Sequence, residues 1–165
     1  MRILLVDNHD SFTWNLQHLL APHATVDVVR NDVLDLDAVP RYDRVVLSPG
    51  PGLPAEAGRM PELLQRYATQ RPILGVCLGL QALVEHFGGT LYNRDRVRHG
   101  VAATCIVTAP DPLFRGLPAS FPVGLYHSWA AQRETLPTEL EETAQTDDAV
   151  IMAIRHRSLP IHAVQ

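Results

Sequence analysis

Four short apolar runs, Ile3 to Val6, Val26 to Val29, Val45 to Leu47 and Ile73 to Val76, alternate with segments of helical periodicity, and this alternation constrains the fold of the first half most strongly. It is the signature of parallel strands joined by crossover helices. The first, third and fourth runs are apolar on both faces, as the centre of a covered sheet requires. Between them, Phe12, Leu16, Leu19 and Leu20 form one helical stripe, with Asp10 or Ser11 placed to cap its start. Met60, Leu63, Leu64 and Tyr67 form a second stripe, and Leu80, Leu83, Val84 and Phe87 a third that Gly88-Gly89 should end. Asp32 to Pro40 reads as a short helical turn and loop.

The texture changes at Thr90. Val101 to Val107, Phe121 to Tyr126, Glu139 to Thr143 and Ile151 to Arg155 are strand-like and separated by turn residues, without a helical stripe among them. Antiparallel strands added to the edge or end of the parallel sheet account for this, and no linker composition divides the halves. The expectation is therefore an α/β fold with a mostly parallel central sheet flanked by helices, antiparallel strands added in the C-terminal half, and a single domain over residues 1–165.

In such a sheet, functional groups gather at the carboxyl ends of the strands. Three loops lie there: Asp7-Asn8-His9-Asp10-Ser11, Ser48-Pro49-Gly50-Pro51-Gly52, and the bend at Cys77. Gly75 and Gly79 flank that cysteine as Gly-x-Cys-x-Gly, the sulfur version of a nucleophile elbow, in which small neighbours let strand and helix pack around a strained residue. The positive end of the following helix should favour the thiolate, and the Leu78 N–H should point where an oxyanion forms. Cys105, inside an apolar run, reads instead as an ordinary buried thiol.

The loop Pro49-Gly50-Pro51-Gly52 cannot become helix, because each proline fixes its own φ and keeps the residue before it extended. Its backbone N–H donors are those of Gly50 and Gly52. With the N–H of Leu78 they offer an oxyanion hole across from Cys77, in which each donor is worth about 3 to 4 kcal/mol.

Charge excludes some functions. A formal charge of -4 gives no footprint for nucleic acid, and the basic cluster Arg94, Arg96, Arg98 reads as one solvated strand face. Two cysteines far apart in sequence argue for a reducing compartment rather than a disulfide scaffold, and no apolar stretch approaches membrane-spanning length. A cytoplasmic protein without metal, nucleotide or other cofactor is expected, there being no Walker motif, dinucleotide fingerprint or clustered His/Cys spacing.

The segments Val6-Asp7-Asn8-His9-Asp10-Ser11-Phe12-Thr13-Trp14-Asn15-Leu16, Leu47 to Gly58, and Gly75-Val76-Cys77-Leu78-Gly79 together resemble the class I, triad-type glutamine amidotransferases. The branch they resemble is the glutaminase subunit of anthranilate synthase and aminodeoxychorismate synthase. Arg98-His99-Gly100 and Tyr126-His127-Ser128-Trp129 follow in the family's order, so the resemblance covers the whole chain. It implies a flavodoxin-like three-layer architecture. It also implies a reaction in which a thiolate attacks the glutamine side-chain amide, forms a glutamyl thioester and releases ammonia to a synthase partner acting on chorismate. By the same resemblance Cys77 is the nucleophile, the backbone amides of Gly52 and Leu78 hold the oxyanion, and Gln81, Ser128 and Trp129 contact glutamine. Leu80 stands where the family often has histidine, and Trp129 where it often has leucine.

A thiol of ordinary pKa, about 8.5, is only a few per cent thiolate at neutral pH, so the reaction needs a histidine base. The family supplies it with a glutamate in a Phe-His-Pro-Glu motif, and Met152 to Gln165 matches the segment leading into that motif without reaching it. His162, His156, His127, His99, His9, His18, His23 and His86 are not expected to substitute. The expectation is a truncated or incompletely represented glutaminase subunit that cannot turn glutamine over alone. Its rivals are a non-catalytic subunit that docks a synthase, and another cysteine-elbow hydrolase. The choice between tryptophan and folate pathways is not readable from these residues.

Overall fold

A computed structural model describes residues 1–165, with only the main chain described for residues 95–99. Nine strands form one sheet: β1 (Arg2–Asp7), β2 (Thr25–Arg30), β3 (Arg44–Leu47), β4 (Ile73–Val76), β5 (Leu91–Val107), β6 (Ser120–Ala131), β7 (Leu140–Thr146), β8 (Ile151–His156) and β9 (Ile161–Val164). Their order across the sheet is β2-β1-β3-β4-β9-β8-β7-β5-β6. The first five in that order pair in parallel, and every pairing from β9 to β8 onward is antiparallel. The expected mixed sheet is present. The last strand, however, returns to the parallel half and lies beside β4.

Alternation along the central strands decides which helix covers which face. Leu4, Val6, Val45 and Leu47 pack with α2 (Met60–Tyr67) and α3 (Leu78–His86), whereas Ile3, Leu5 and Val46 pack on the other face with α1 (Thr13–Leu20). The second and third stripes are buried as their spacing requires, through Met60, Leu63, Leu64, Leu80, Leu83 and Val84. A separate cluster of Cys105, Leu125, Ala144, Met152 and Ala153 fills the antiparallel half, so Cys105 is the buried thiol expected.

Two expectations about the protein's surface change. In the first stripe Leu16 and Leu20 meet the core, but Phe12 is 49% and Leu19 71% exposed. The buried face of α1 is instead Thr13, Leu16 and Leu20, and Phe12 precedes the helix, with its ring 6.0 Å from that of Tyr126. Asp10 rather than Ser11 meets the helix entry, its carboxylate accepting the Phe12 N–H at 2.8 Å. Arg94 does not lie on a solvated face: its side chain is only 9% exposed and pairs with Asp148 at 2.7 Å. The side chains of Arg96 and Arg98, and of His99 in the Arg98-His99-Gly100 segment, lie outside the described residues.

Candidate active site

The loops that follow β1, β3 and β4, and Gln165 after β9, leave neighbouring parallel strands at the same end of the sheet, as the strand order dictates. Cys77 occupies the bend between β4 and α3 with φ 53° and ψ -101°, a conformation that costs an L-residue of order 1–3 kcal/mol. Contacts on both sides hold it there. Its N–H donates to Val164 O at 2.8 Å, and its own carbonyl accepts the Gln81 N–H at 3.1 Å.

Both flanking glycines are needed for space. A Cβ on Gly75 would lie 2.6 Å from the Gly79 carbonyl group, and one on Gly79 would lie 2.7 Å from Leu47 Cβ and Leu47 O. Strand and helix therefore approach at the elbow more closely than any side chain allows.

The proline-braced loop is fixed from below by a buried polar cluster. Asn8 donates its main-chain N–H to Ser48 Oγ at 2.9 Å and its side-chain amide to Ser48 O at 2.9 Å, while Asn31 Nδ2 donates to Asn8 Oδ1 at 3.0 Å. Ser48 Oγ in turn donates to Pro49 O at 2.6 Å. Gly50 sits so close that a Cβ there would be 2.5 Å from Asn8 Cβ and 2.7 Å from Leu78 Cδ2. Gly52 has φ 73°, a conformation that glycine adopts without strain. Among the described residues, neither the Gly50 nor the Gly52 N–H is engaged by a main-chain acceptor.

A cavity of about 310 Å³ opens over the thiol, lined by Asp10, Phe12, Pro49, Gly50, Val76, Cys77, Gly124, Tyr126, His127 and Gln165. An adjoining space of about 280 Å³ adds Pro51, Gly52, Gln81, Ser128 and Trp129. The two share Gly50, Cys77, Tyr126 and His127. Six of the residues singled out from sequence, Cys77, Gly50, Gly52, Gln81, Ser128 and Trp129, thus border one space, and Leu78 packs beneath it against Gly50. A larger hollow of about 510 Å³ beside Val107, Asp111 and Arg155 holds no nucleophile. Its Asp111 is already consumed by the Leu113 N–H at 2.8 Å and His162 at 3.1 Å, so chemistry rather than volume marks the site.

The electrostatics at the sulfur reverse one expectation. Burial pushes the Cys77 thiol above its ordinary value, Asp10 adds to that, and the Leu78 N–H and Gln165 side chain only partly offset it. The helix start does favour thiolate, but desolvation prevails. Alkylation of Cys77 by a small neutral reagent is accordingly expected to keep accelerating as pH rises past the usual thiol range of about 8.5. A rate profile that levels off below that range would contradict the dominance of burial at this sulfur.

Gln81 has a more defined role than contact alone. Its Nε2 donates to Trp129 O at 3.1 Å and to Gln165 Oε1 at 3.2 Å, which uses both amide hydrogens and leaves Oε1 to accept from a ligand. Trp129 O also receives His127 Nδ1 at 2.9 Å; a carbonyl can only accept, so Nδ1 carries the proton. Burial lowers the pKa of His127, which keeps that imidazole neutral.

The other described histidines are elsewhere. His162 faces Asp111, His156 accepts from the Ser158 and Leu159 N–H groups, and His9 lies 3.7 Å from Asp32. Sequence reasoning left Asn8, His127 and Gln165 without a role in the site. The signal that could have found the last of them was that a strand following β8 can return beside β4 and deliver its end to the elbow.

These features define a cysteine-elbow enzyme on a mixed α/β sheet, and residues 4–165 match the family model described as Glutamine amidotransferase class-I. The chain belongs to the class I glutamine amidotransferases. It is 42% identical to the anthranilate synthase component 2 of Lactococcus lactis over 99% of its length and 83% of the relative's. To the aminodeoxychorismate synthase component 2 of Escherichia coli it is also 42% identical, over 99% of this chain and 88% of the other. A solved glutamine amidotransferase from Thermotoga maritima shares the fold, with a TM-score of 0.80 at 16% identity over 100% of this chain and 74% of that one. A Thermoplasma acidophilum structure matches with a TM-score of 0.87 at 26% identity, covering 100% and 82% of the two chains. No helix among the described residues is long and apolar enough to cross a membrane.

Proposed function

We propose that this chain is the glutamine-hydrolysing subunit of a chorismate-using synthase, with Cys77 as nucleophile. The observation that carries the reading is the strained thiol sharing a cavity, which Gln81, Ser128 and Trp129 complete, with two glycines whose N–H groups have no main-chain acceptor among the described residues. The sulfur attacks the carboxamide carbon of glutamine, and the new oxyanion is held by the N–H groups of Gly50 or Gly52 and Leu78. Collapse breaks the C–N bond, the nitrogen takes a proton and leaves as ammonia, and water then releases glutamate from the thioester. Gln81 Oε1 and Ser128 are suited to the ammonium end of glutamine, since both can accept hydrogen bonds. Equal 42% identity to an anthranilate and an aminodeoxychorismate component supports the shared step, ammonia delivery to a partner synthase, over either product.

The general base is the one part of this chemistry that the 165 residues do not supply in our proposal. Among the described histidines, His127 alone borders the cavity, and its Nδ1–H is spent on Trp129 O while Nε2 is buried. Strand β9 runs toward the thiol, with Val164 O on the Cys77 N–H and Gln165 lining the cavity, so a Phe-His-Pro-Glu continuation would bring its histidine to the same rim. Glutamine hydrolysis by residues 1–165 is expected to be about 10²- to 10⁴-fold slower than by the same polypeptide continued with Phe-His-Pro-Glu. Equal rates would overturn the assignment of the base. Failure of the longer polypeptide to hydrolyse glutamine, with or without a synthase, would favour the non-catalytic docking role.

A further inference from the structure

Gln165 follows β9 and borders the Cys77 cavity, where its amide is oriented by its neighbours rather than free to turn. Orientation begins at Trp129 O, which as a carbonyl only accepts; the Gln81 atom 3.1 Å from it is therefore the NH₂ group. The same NH₂ lies 3.2 Å from Gln165, so the facing atom there is Oε1. His127 Nδ1–H, on the same Trp129 oxygen, holds that main-chain anchor in place. The Gln165 NH₂ is consequently turned away from Gln81. Its Nε2 is buried and, among the described residues, has no hydrogen-bond partner, an arrangement that leaves a desolvated donor in search of an acceptor.

We propose that Gln165 is a further catalytic residue of the thiol site, its oriented NH₂ group donating to the Cys77 sulfur as negative charge builds on it. The effect of the Gln165 side chain on the thiol has the matching sign, toward the thiolate and against burial and Asp10. A donor held in place by Gln81 and Trp129 needs no reorganisation when the charge forms, which is the condition under which such hydrogen bonds contribute most. The inference rests on Cys77 being the nucleophile.

The test is the pH dependence of Cys77 alkylation by iodoacetamide in this protein, with buried Cys105 as an internal control. Gln165→Leu is expected to slow labelling about tenfold at neutral pH and to displace the profile upward by about 1 pH unit. Gln165→Glu, which replaces the donor with a negatively charged acceptor of the same shape, should slow it further. It also decides the matter if the leucine variant does not fold. Gln81→Met, which releases the Gln165 carbonyl, should give an intermediate rate. Profiles of the folded Gln165→Leu and Gln165→Glu proteins that coincide with the unsubstituted one would refute the role of Gln165. Glutamine that fails to protect Cys77 in the unsubstituted protein would instead refute the nucleophile itself, whatever the variants do.

Discussion

Replacing Cys77 by glycine is expected to leave a more stable protein than replacing it by alanine, the reverse of the ordinary order. At most positions glycine is worse, because it loses more backbone freedom on folding, by roughly 0.5–1 kcal/mol. At Cys77 the backbone stands at φ 53° and ψ -101°, where any Cβ is strained by of order 1–3 kcal/mol and glycine is not. Relief of strain should outweigh the lost freedom, by about 1 kcal/mol in favour of Cys77→Gly over Cys77→Ala in urea denaturation. Both variants remove the proposed nucleophile, so both should lose labelling by a glutamine-like diazo-ketone. In a polypeptide continued with Phe-His-Pro-Glu, both should lose on the order of 10⁴-fold or more of glutaminase rate. Alanine equal to glycine in stability would mean the bend is not strained. Retained turnover in either variant would mean Cys77 is not the nucleophile.

Alanine at Gly79 should behave oppositely to helix propensity. Gly79 lies in α3, and an exposed helical glycine changed to alanine gains about 1 kcal/mol. At Gly79 the added methyl would meet Leu47 Cβ and the Leu47 carbonyl at 2.7 Å, and main chain of a central strand cannot withdraw as a flexible side chain can. A loss of about 3 kcal/mol is expected, at the upper end of overpacking costs. Gly75→Ala should lose at least as much, because its methyl points 2.6 Å from the Gly79 main chain. Chemical denaturation of the two variants measures both values, and thiol labelling reports whether the elbow survives. A loss below about 1 kcal/mol in either would show that strand and helix can separate at the bend without much cost.

Much of this molecule could be read from local pattern. The strands around Ile3, Val45 and Ile73, the stripes of α2 and α3, and the glycine-flanked cysteine follow from periods of two and 3.6 residues and from the space a side chain takes. Other features were not legible. Leu19 belongs to the first stripe by spacing, yet Thr13, Leu16 and Leu20 face the sheet, because the rotation of a helix about its axis is set by the surface it meets. Arg94 looks solvated beside Arg96 and Arg98, but a partner more than fifty positions away, Asp148, takes it out of water.

The site divides in the same way. The chain's own order determined that a thiol would stand at a strand-to-helix bend near a proline-braced loop, because glycine and proline limit the backbone wherever they occur. Only the folded arrangement decided that burial outweighs the helix start at the sulfur, that Asn8 clamps the loop through Ser48, and that Gln165 borders the cavity over the thiol at the end of a strand placed beside β4. Those are effects of desolvation and of contact between residues distant in sequence, and neither exists until the strands are laid side by side.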